Sequence, residues 1–419
     1  MTEIDRTAVT PVAGTPVTDA VGDDSFRGRP DQRRIVLVGL GLLLVTVLAA
    51  AAVLARRNDG PPPPKPDIPV DAWAPYWTLD DALPELDRRV TAIRDVSPFW
   101  FNAVGVDRII TDPNAVDEGI EEFVDSIRRS DAQLVPSILD AMPAGEMAAI
   151  LADPALRARH VETIRDFAAG GDYDGIDIDY EQFAFADGRD TWWTTRPHWV
   201  AFVTELGDAL HADGRTLTVS IPPIYDAQRN ADSGFWVYDY AAIAPHVDRI
   251  RIMAYDFSVF EPGPIAPLDF VERAINGALE ATGDPDKLVL GVPAYGRNWP
   301  TGESGECPVS ELQGRTTVTA RSVDDLIARR AATPVAVEET GEWVFTYDLE
   351  VTDGTSTCTQ RRQVHYVDGD GIRLRMDLAR EHRLNGVALW ALGFDDDAVW
   401  DAILPTVAEP TAATGVTAP

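Results

Sequence analysis

Apolar runs of strand length alternate with amphipathic stretches between residues 70 and 405. Short apolar runs are typical of buried strands, whereas apolar residues three to four positions apart indicate a helix with one buried face. The runs that predict strands are Ala72–Trp77, Asp95–Val104, Gln133–Leu139, Gly175–Glu181, Thr216–Pro222, Arg249–Asp256, Lys287–Tyr295 and Gly386–Leu392. The stretches between them predict helices, including Asp117–Ser130, Pro154–Ala169, Pro197–Asp213, Pro267–Thr282 and Met376–Arg383.

Eight strand-then-helix units predict an α/β fold. A (β/α)8 TIM barrel spans roughly 200 to more than 400 residues, which suits the 70–405 segment. An open doubly wound sheet is the alternative, although no glycine-rich phosphate loop follows the first strand. Residues 298–371 contain no clean unit, and we expect them to form a small α+β insertion between strands seven and eight. In a barrel such an insertion lies on the face that carries the active site.

The N-terminal part of the chain differs from this pattern. Residues 35–55 contain no charged side chain, and about 20 such residues span a bilayer. We expect a single transmembrane anchor, with a cleaved signal peptide as the alternative. Residues 1–34 then form a disordered cytoplasmic tail, residues 56–69 a proline-rich linker, and residues 406–419 a flexible end. The predicted location is the cell membrane, with the catalytic domain extracellular, or secreted if the segment is cleaved.

The amino-acid composition excludes one class of partner and indicates a disulfide. The formal net charge is −32, and Lys65 and Lys287 are the only lysines. Nucleic-acid binding requires a basic surface, so this class of partner is not expected. Cys307 and Cys358 are the only cysteines. If the domain lies outside the cell, we expect a disulfide between them, with two free thiols as the alternative.

The strand Gly175–Glu181 carries the candidate chemistry. Successive strand side chains point to opposite faces, so Asp177, Asp179 and Glu181 share one face of the strand. Like charges repel and burial disfavours their ionised forms, so such a cluster indicates either a metal site or acids whose pKa values are separated for catalysis. On the fourth strand of a barrel, Glu181 lies nearest the active-site rim and is able to donate a proton to a leaving group.

Four motifs resemble one known family. The segment Asp174-Gly-Ile-Asp177-Ile-Asp179-Tyr-Glu181 is similar to the signature of glycoside hydrolase family 18, the chitinase-like family. Three further segments, in the same order, resemble its sixth, seventh and eighth strands: Arg251–Asp256, Leu290–Arg297 and Gly386–Gly393. The resemblance covers residues 70–405 and comes nearest to the bacterial spore-germination branch, which acts on peptidoglycan.

The resemblance implies a retaining glycosidase that uses no carboxylate nucleophile, because the 2-acetamido group of the substrate attacks the anomeric carbon. Glu181 is then the acid and later the base, and Asp179 stabilises the acetamide. Asp177 shares a proton with Asp179, and Tyr255 holds the acetamide oxygen. The resemblance further implies a substrate site formed by Trp390, Met253, Asp256 and Tyr76, although Met253 is also compatible with simple barrel filling.

The expected substrate is a β-1,4-linked polysaccharide that contains N-acetylglucosamine, with peptidoglycan and chitin both open. We expect no cofactor and no metal, although a Ca²⁺ or Mg²⁺ site at the three acids is an alternative. A lectin-like barrel that binds glycan without cleaving it is the alternative function. The partners are then the polysaccharide and, through residues 35–55, the membrane. We expect a monomer.

Overall fold

The computed structural model describes residues 67–116 and 119–404. In these residues, eight parallel strand positions close into a barrel, which confirms the predicted TIM-barrel architecture. No helix in this part of the chain is long and apolar enough to cross a membrane. The predicted anchor at residues 35–55 and the predicted tails lie outside the described residues.

The barrel closes because the first strand pairs with both the last and the second. The barrel strands, in chain order, are β1 (Val70–Pro75), β2 (Asp95–Gly105), β4 (Gln133–Leu134) with β5 (Ser137–Asp140), β6 (Gly175–Asp179), β7 (Thr216–Ile221), β8 (Arg249–Ile252), β9 (Leu288–Pro293) and β15 (Gly386–Trp390). Val70 pairs with Val387 on one side, and Asp71 pairs with Asp95 on the other. A short strand, β3 (Arg108–Thr111), adds to β2 in antiparallel fashion.

The predicted third strand, Gln133–Leu139, is interrupted. It divides into β4 and β5 at Val135 and Pro136, because proline has no N–H to donate to the sheet. Both pieces pair with β2. Together they therefore occupy one strand position in the barrel.

The helices surround the barrel in the predicted order. They are α1 (Leu79–Arg89), α2 (Ile120–Arg128), α3 (Glu146–Ala152), α4 (Pro154–Gly170), α5 (Gln182–Phe185), α6 (Trp192–Ala212), α7 (Tyr240–Ile243), α8 (Leu268–Thr282), α9 (Ala320–Arg330), α10 (Gly369–Glu381) and α11 (Asp397–Ile403). The start predicted for α6 at Pro197 is wrong by one and a half turns. Trp192 and Thr195 are both buried, so core packing extends the helix on the N-terminal side of the proline.

A second sheet follows the seventh barrel strand. It consists of five antiparallel strands, β10 (Tyr295–Gly305), β11 (Thr316–Thr319), β12 (Val335–Val337), β13 (Glu342–Thr352) and β14 (Thr357–Tyr366). Their order in the sheet is β11, β10, β14, β13, β12. This insertion lies between β9 and β15, as the sequence predicts. Its first strand begins three residues before the predicted position 298, directly after the barrel strand.

A buried ion pair ties the insertion to the barrel loops. Glu342, at the start of β13, accepts hydrogen bonds from the backbone N–H groups of Ile265 and Ala266. Arg375 on α10 donates to Glu342 at 3.2 Å and to the carbonyl oxygen of Gly371 at 2.7 Å. Both charged side chains are fully removed from water. The insertion is thereby anchored to the loop that follows β8, next to the mouth of the barrel.

Cys307 and Cys358 form a disulfide in the structure, with the sulfur atoms 2.11 Å apart. Cys358 lies on β14 and is buried in the small apolar core of the insertion. Cys307 lies in the loop after β10, the strand that pairs with β14. The bond therefore fastens the outer end of the insertion sheet.

Reduction is expected to destabilise the insertion. A cross-link of this span restricts the conformations of the unfolded chain and thereby adds about 3 to 4 kcal/mol to the free energy of unfolding. The melting temperature, measured by calorimetry, should fall when dithiothreitol is added. The double variant Cys307→Ser with Cys358→Ser is the control, and its melting temperature should not respond to the reductant. An identical melting temperature for the wild-type protein with and without reductant would count against a stabilising bond.

Candidate active site

The acidic strand β6 alternates as its sequence predicts. Ile176 and Ile178 are fully buried. Tyr180 is also buried, and its hydroxyl is hydrogen-bonded to His160 Nε2 at 2.8 Å. The alternate residues Asp177 and Asp179 belong to the other face, inside the barrel, where both are buried. Glu181 follows the strand directly and lines the cavity at its C-terminal end.

Asp177 is held by four donors from four strands. Its Oδ1 accepts from Ser220 Oγ at 2.7 Å. Its Oδ2 accepts from Ser137 Oγ at 2.6 Å, Trp73 Nε1 at 3.1 Å and Arg251 Nη1 at 3.2 Å. These four contacts fix the Asp177 carboxylate at the centre of the barrel.

The shared proton expected between Asp177 and Asp179 stays a prediction. Both oxygen atoms of Asp177 accept hydrogen bonds from donors on other strands. The charge of Asp177 is also one of the influences that raise the pKa of Asp179. Among the described residues, Asp177 has three neutral donors and one arginine, whereas Asp179 Oδ1 has no donor.

Arg251 belongs to a buried ionic network below the acids. Its guanidinium lies 3.3 Å from Asp71 Oδ2 and 3.8 Å from Asp95 Oδ2. Arg94 pairs with Asp71 at 2.8 Å, and Arg249 pairs with Asp95. Despite the burial, the nearby arginines hold the pKa of Asp71 below its ordinary value. Burial and the charge of Asp71 raise the pKa of Asp95 to about 6.

Asp179 and Glu181 lie above this network, and no arginine among residues 67–116 and 119–404 forms an ion pair with either of them. Burial, together with the charges of Glu181 and Asp177, raises the pKa of Asp179 well above its ordinary value. No described residue donates a hydrogen bond to Asp179 Oδ1. Burial, with the charge of Asp256, raises the pKa of Glu181 to about 7. Glu181 is therefore able to hold a proton at neutral pH and to release it.

The acids open into a cavity of about 870 Å³ at the C-terminal ends of the strands. Asp179 and Glu181 line it, together with four of the residues that the sequence assigns to the site, Tyr255, Met253, Asp256 and Trp390. Burial keeps the pKa of the Tyr255 hydroxyl well above its ordinary value, so this hydroxyl remains a donor. The ring of Trp390 packs edge-on against Phe99, with centroids 4.9 Å apart.

Asp256 has a left-handed backbone conformation, with φ at 57°. It accepts hydrogen bonds from the Tyr295 hydroxyl and from Arg297, whose Nε lies 3.1 Å away. Such a φ is uncommon for a residue other than glycine. These contacts direct the Asp256 carboxylate toward the insertion and keep it near Glu181.

Tyr76, which the sequence assigns to the substrate site, does not line the cavity in this structure, and its role there stays a prediction. The chain leaves β1 at Pro75 and enters a short 3-10 turn, Tyr76–Thr78. Tyr76 packs against the main core, whereas Trp77 is 52% exposed and lines the cavity. Because of this turn, the aromatic ring at the cavity is that of Trp77 and not that of Tyr76. Strand alternation alone does not predict this change.

Several cavity residues were not identified from the sequence. They are aromatic residues on the loops after β6, β7 and β8: Phe185, Tyr225, Phe235, Phe257 and Phe260. Phe185 and Phe260 are 62% and 87% exposed. Exposed apolar side chains that form a contiguous patch often mark a binding surface, and Phe185 packs against Phe235 with ring centroids 5.3 Å apart. The signal in the sequence is their position in the segments that follow barrel strands.

Residues 120–395 match the model of the glycosyl hydrolases family 18. The chain belongs to this family. Among curated relatives, the putative sporulation-specific glycosylase YdhD of Bacillus subtilis is 28% identical over 58% of this chain and 52% of its own length. The probable chitinase 2 of Drosophila melanogaster is 26% identical over 59% of this chain and 52% of its own length. The chain thus spans about half of each.

Solved structures of the same architecture align over most of the domain. A chitinase from Chromobacterium violaceum superimposes with a TM-score of 0.65 at 24% identity, covering 80% of this chain and 98% of its own. The spore cortex-lytic enzyme SleL of Bacillus megaterium superimposes with a TM-score of 0.64 at 16% identity, covering 83% and 76%. At these identities the likeness establishes the fold.

The pKa of Glu181 makes stability depend on pH. Its ordinary value of 4.5 rises to about 7 on folding, so the folded chain holds a proton that the unfolded chain has released. The free energy of unfolding therefore contains a contribution that is present below pH 4.5 and is lost as the pH rises through about 7. The variant Glu181→Gln has no titrating group at this position, so its free energy of unfolding lacks this decrease with pH. Its melting temperature, relative to wild type, should be higher at pH 8 than at pH 5.

Glu303→Gln, on the exposed part of β10, is the matched control and should show no such pH-dependent difference. A constant offset between Glu181→Gln and wild type at both pH values would contradict the raised pKa.

Proposed function

We propose that this family 18 protein is a retaining glycoside hydrolase that cleaves β-1,4-linked glycans containing N-acetylglucosamine. The observation that supports the proposal most directly is the pairing of Glu181 with the buried Asp179 at one wall of the cavity, with Tyr255 and Trp390 lining the same cavity. No second carboxylate is required as a nucleophile, because the 2-acetamido group of the substrate supplies the attacking oxygen.

In the first step, the acetamido carbonyl oxygen attacks the anomeric carbon and the glycosidic C–O bond breaks. Glu181 gives its proton to the departing oxygen, a role that suits a carboxyl group with a pKa of about 7. Water then attacks the anomeric carbon of the cyclic oxazolinium ion, and the Glu181 carboxylate takes the proton back. Two inversions at one carbon leave its configuration unchanged.

Asp179 stabilises the positive charge that develops on the acetamide. In the free protein this acid has a raised pKa and an oxygen atom without a donor among the described residues. The acetamide N–H of the substrate provides that missing donor. The Tyr255 hydroxyl donates to the acetamide oxygen, and Trp390 packs beneath the sugar ring. Asp177 acts as a fixed negative charge that favours the protonated form of Asp179 before substrate binds.

The substrate is proposed to be a polysaccharide, because exposed aromatic side chains continue along the loops beside the cavity. Relatives include proteins described as a sporulation-specific glycosylase and as chitinases. Both descriptions are compatible with polymers of 2-acetamido sugars. A barrel that binds glycan without cleaving it is less well supported, since the acid Glu181 and its partner Asp179 are both present.

We also propose that residues 35–55 tether the domain to the cell membrane, with the barrel outside the cell as a monomer. Support comes from the uncharged sequence of this segment and the proline-rich linker after it. The Cys307–Cys358 bond is in keeping with an extracellular domain. Fractionation of cells that express the full-length and the residue 56–419 forms would test the tether.

Glu181→Gln should lower kcat by at least about 100-fold, because general acid catalysis typically contributes 10² to 10⁴. Glycan binding should be retained, since the amide has the same shape. For the wild type, kcat/KM should fall as the pH rises through about 7, where Glu181 loses its proton. Product masses from chitin oligomers and purified peptidoglycan provide the assay. Glu303→Gln is the control, and near-wild-type turnover by Glu181→Gln would exclude its catalytic role.

A thiazoline analogue of the cyclised acetamide should inhibit competitively, because it resembles the intermediate that Asp179 and Tyr255 stabilise. Inhibition constants should be measured for the wild type and for Tyr255→Phe, which lacks the hydroxyl and is expected to bind the analogue at least about tenfold more weakly. Indifference of the wild type to the analogue at high concentration would argue against assistance by the substrate.

A further inference from the structure

Three arginines lie on segments that contribute residues to one side of the cavity or pack beside them. They lie on consecutive segments at the C-terminal face of the barrel: Arg189 after β6, Arg229 in the loop after β7, and Arg273 on α8 after β8. All three are exposed to solvent. They are notable in a chain whose formal net charge is −32. None of the reaction steps described above uses them.

Arg273 lies directly beside residues of the cavity. Its guanidinium carbon is 4.2 Å from the centre of the Tyr225 ring, and Tyr225 lines the cavity. Phe270, one helical turn earlier on α8, lines the cavity as well. A guanidinium stacked on an aromatic ring is held in place while its N–H edge stays free to donate.

Tyr225 belongs to the loop that follows β7, and Arg189 contacts another part of that loop. Its guanidinium carbon lies 4.6 Å from the centre of the Trp192 ring, and its Nη2 donates to the carbonyl oxygen of Gly234 at 2.9 Å. The next residue, Phe235, lines the cavity. Burial raises the pKa of Tyr225, while Arg273 and Arg189 both oppose that rise, so both cations act on its hydroxyl.

Arg229 extends the basic surface outward. Its guanidinium carbon is 5.6 Å from the centre of the Trp193 ring, and Trp193 is 58% exposed. Trp193 packs against Trp236 with centroids 4.8 Å apart. Phe185 and Phe235 make a similar contact at 5.3 Å. A row of packed aromatic rings therefore leads from the cavity to the outermost arginine, and Phe185 and Trp193 are its exposed members.

The charges of these arginines are not neutralised by the described part of the chain. None of the three guanidinium groups lies within 4.0 Å of a carboxylate oxygen there, although Asp190, Asp226 and Glu272 occur on the same segments. Asp226 instead accepts from the backbone N–H of Gln228 at 2.8 Å. By contrast, the nearby Arg196 and Arg297 are paired with Asp239 and Asp256.

We propose that Arg189, Arg229 and Arg273 form a subsite for the carboxylate groups of an acidic glycan, so that the preferred substrate is a polymer of 2-acetamido sugars carrying ether-linked or peptide-linked carboxylates. The exposed aromatic rings support the sugar rings, and guanidinium N–H groups donate paired hydrogen bonds to the carboxylates. This inference rests on the proposed function. It separates an acidic cell-wall polymer from neutral chitin by the charge of the substrate.

The test compares two matched ligands. One is a peptide-free oligosaccharide of alternating N-acetylglucosamine and N-acetylmuramic acid. The other is the same oligosaccharide after chemical reduction of its carboxyl groups to alcohols. Dissociation constants are measured by calorimetry at low and high ionic strength with full-length Glu181→Gln protein. The same measurement is made after adding Arg189→Gln, Arg229→Gln and Arg273→Gln, singly and together. Arg361→Gln, at an exposed position on β14, is the matched control.

The carboxylated ligand should bind about tenfold more tightly than the reduced one at low ionic strength, and salt should weaken this preference. The triple variant should lose the preference and still bind the reduced ligand, whereas Arg361→Gln should keep it. If one variant fails to fold, the single variants Arg229→Gln and Arg273→Gln should each lower the preference. Equal affinity for the two ligands before any arginine is changed would overturn the subsite.

Cleavage by the wild type separates this inference from the proposed function. If neither ligand is cleaved but the carboxylated one binds more tightly, the subsite stands and the hydrolase proposal fails. If both ligands are cleaved with the same kcat/KM and bind equally, the hydrolase proposal stands and the subsite fails.

Discussion

The buried contact between Arg251 and Asp177 is the interaction on which the rest of the site depends. Three arginines and three aspartates meet inside the lower half of the barrel, and their charges balance. An isolated charge at this depth would cost several kcal/mol, so the network is stable only as a complete set. Its upper member, Asp177, carries a negative charge into the site. That charge helps to keep a proton on Asp179, and the acid at the rim, Glu181, remains in the range where it titrates near neutrality.

Barrel closure brings together residues that are far apart in the chain. Trp73 on the first strand and Trp390 on the last belong to one aromatic cluster with Phe99, because β1 is hydrogen-bonded to both β15 and β2. The insertion contributes two side chains to the site. Tyr295 and Arg297 lie at the start of β10, the first strand of the second sheet, and their hydrogen bonds hold Asp256 beside Glu181. The site thus combines a rigid charged floor with an aromatic wall that is supplied by loops and by the inserted sheet.

The sequence was sufficient to predict the barrel, its insertion and the acids of β6, because alternation on a buried strand determines which side chains share a face. It could not predict the donors of Asp177. Ser137 and Ser220 are ordinary residues by composition, and only the strand register places their hydroxyls beside one carboxylate. Nor does strand alternation indicate that a short turn after β1 brings Trp77, and not Tyr76, to the cavity wall. The loop aromatics and stacked arginines follow no period, so their grouping emerges only when three loops come together in space.

The pairing of Val70 with Val387 has a further consequence. The first strand begins at the end of the barrel opposite to the cavity, and the carbonyl oxygen of Pro69 accepts a hydrogen bond from Val387 N–H at that end. The described chain therefore enters the barrel at the end away from the cavity. A bead, a sensor chip or a fused partner coupled there leaves the mouth pointing outward. An insoluble polymer cannot diffuse into an enzyme, so this orientation allows an immobilised domain to meet a solid substrate face first.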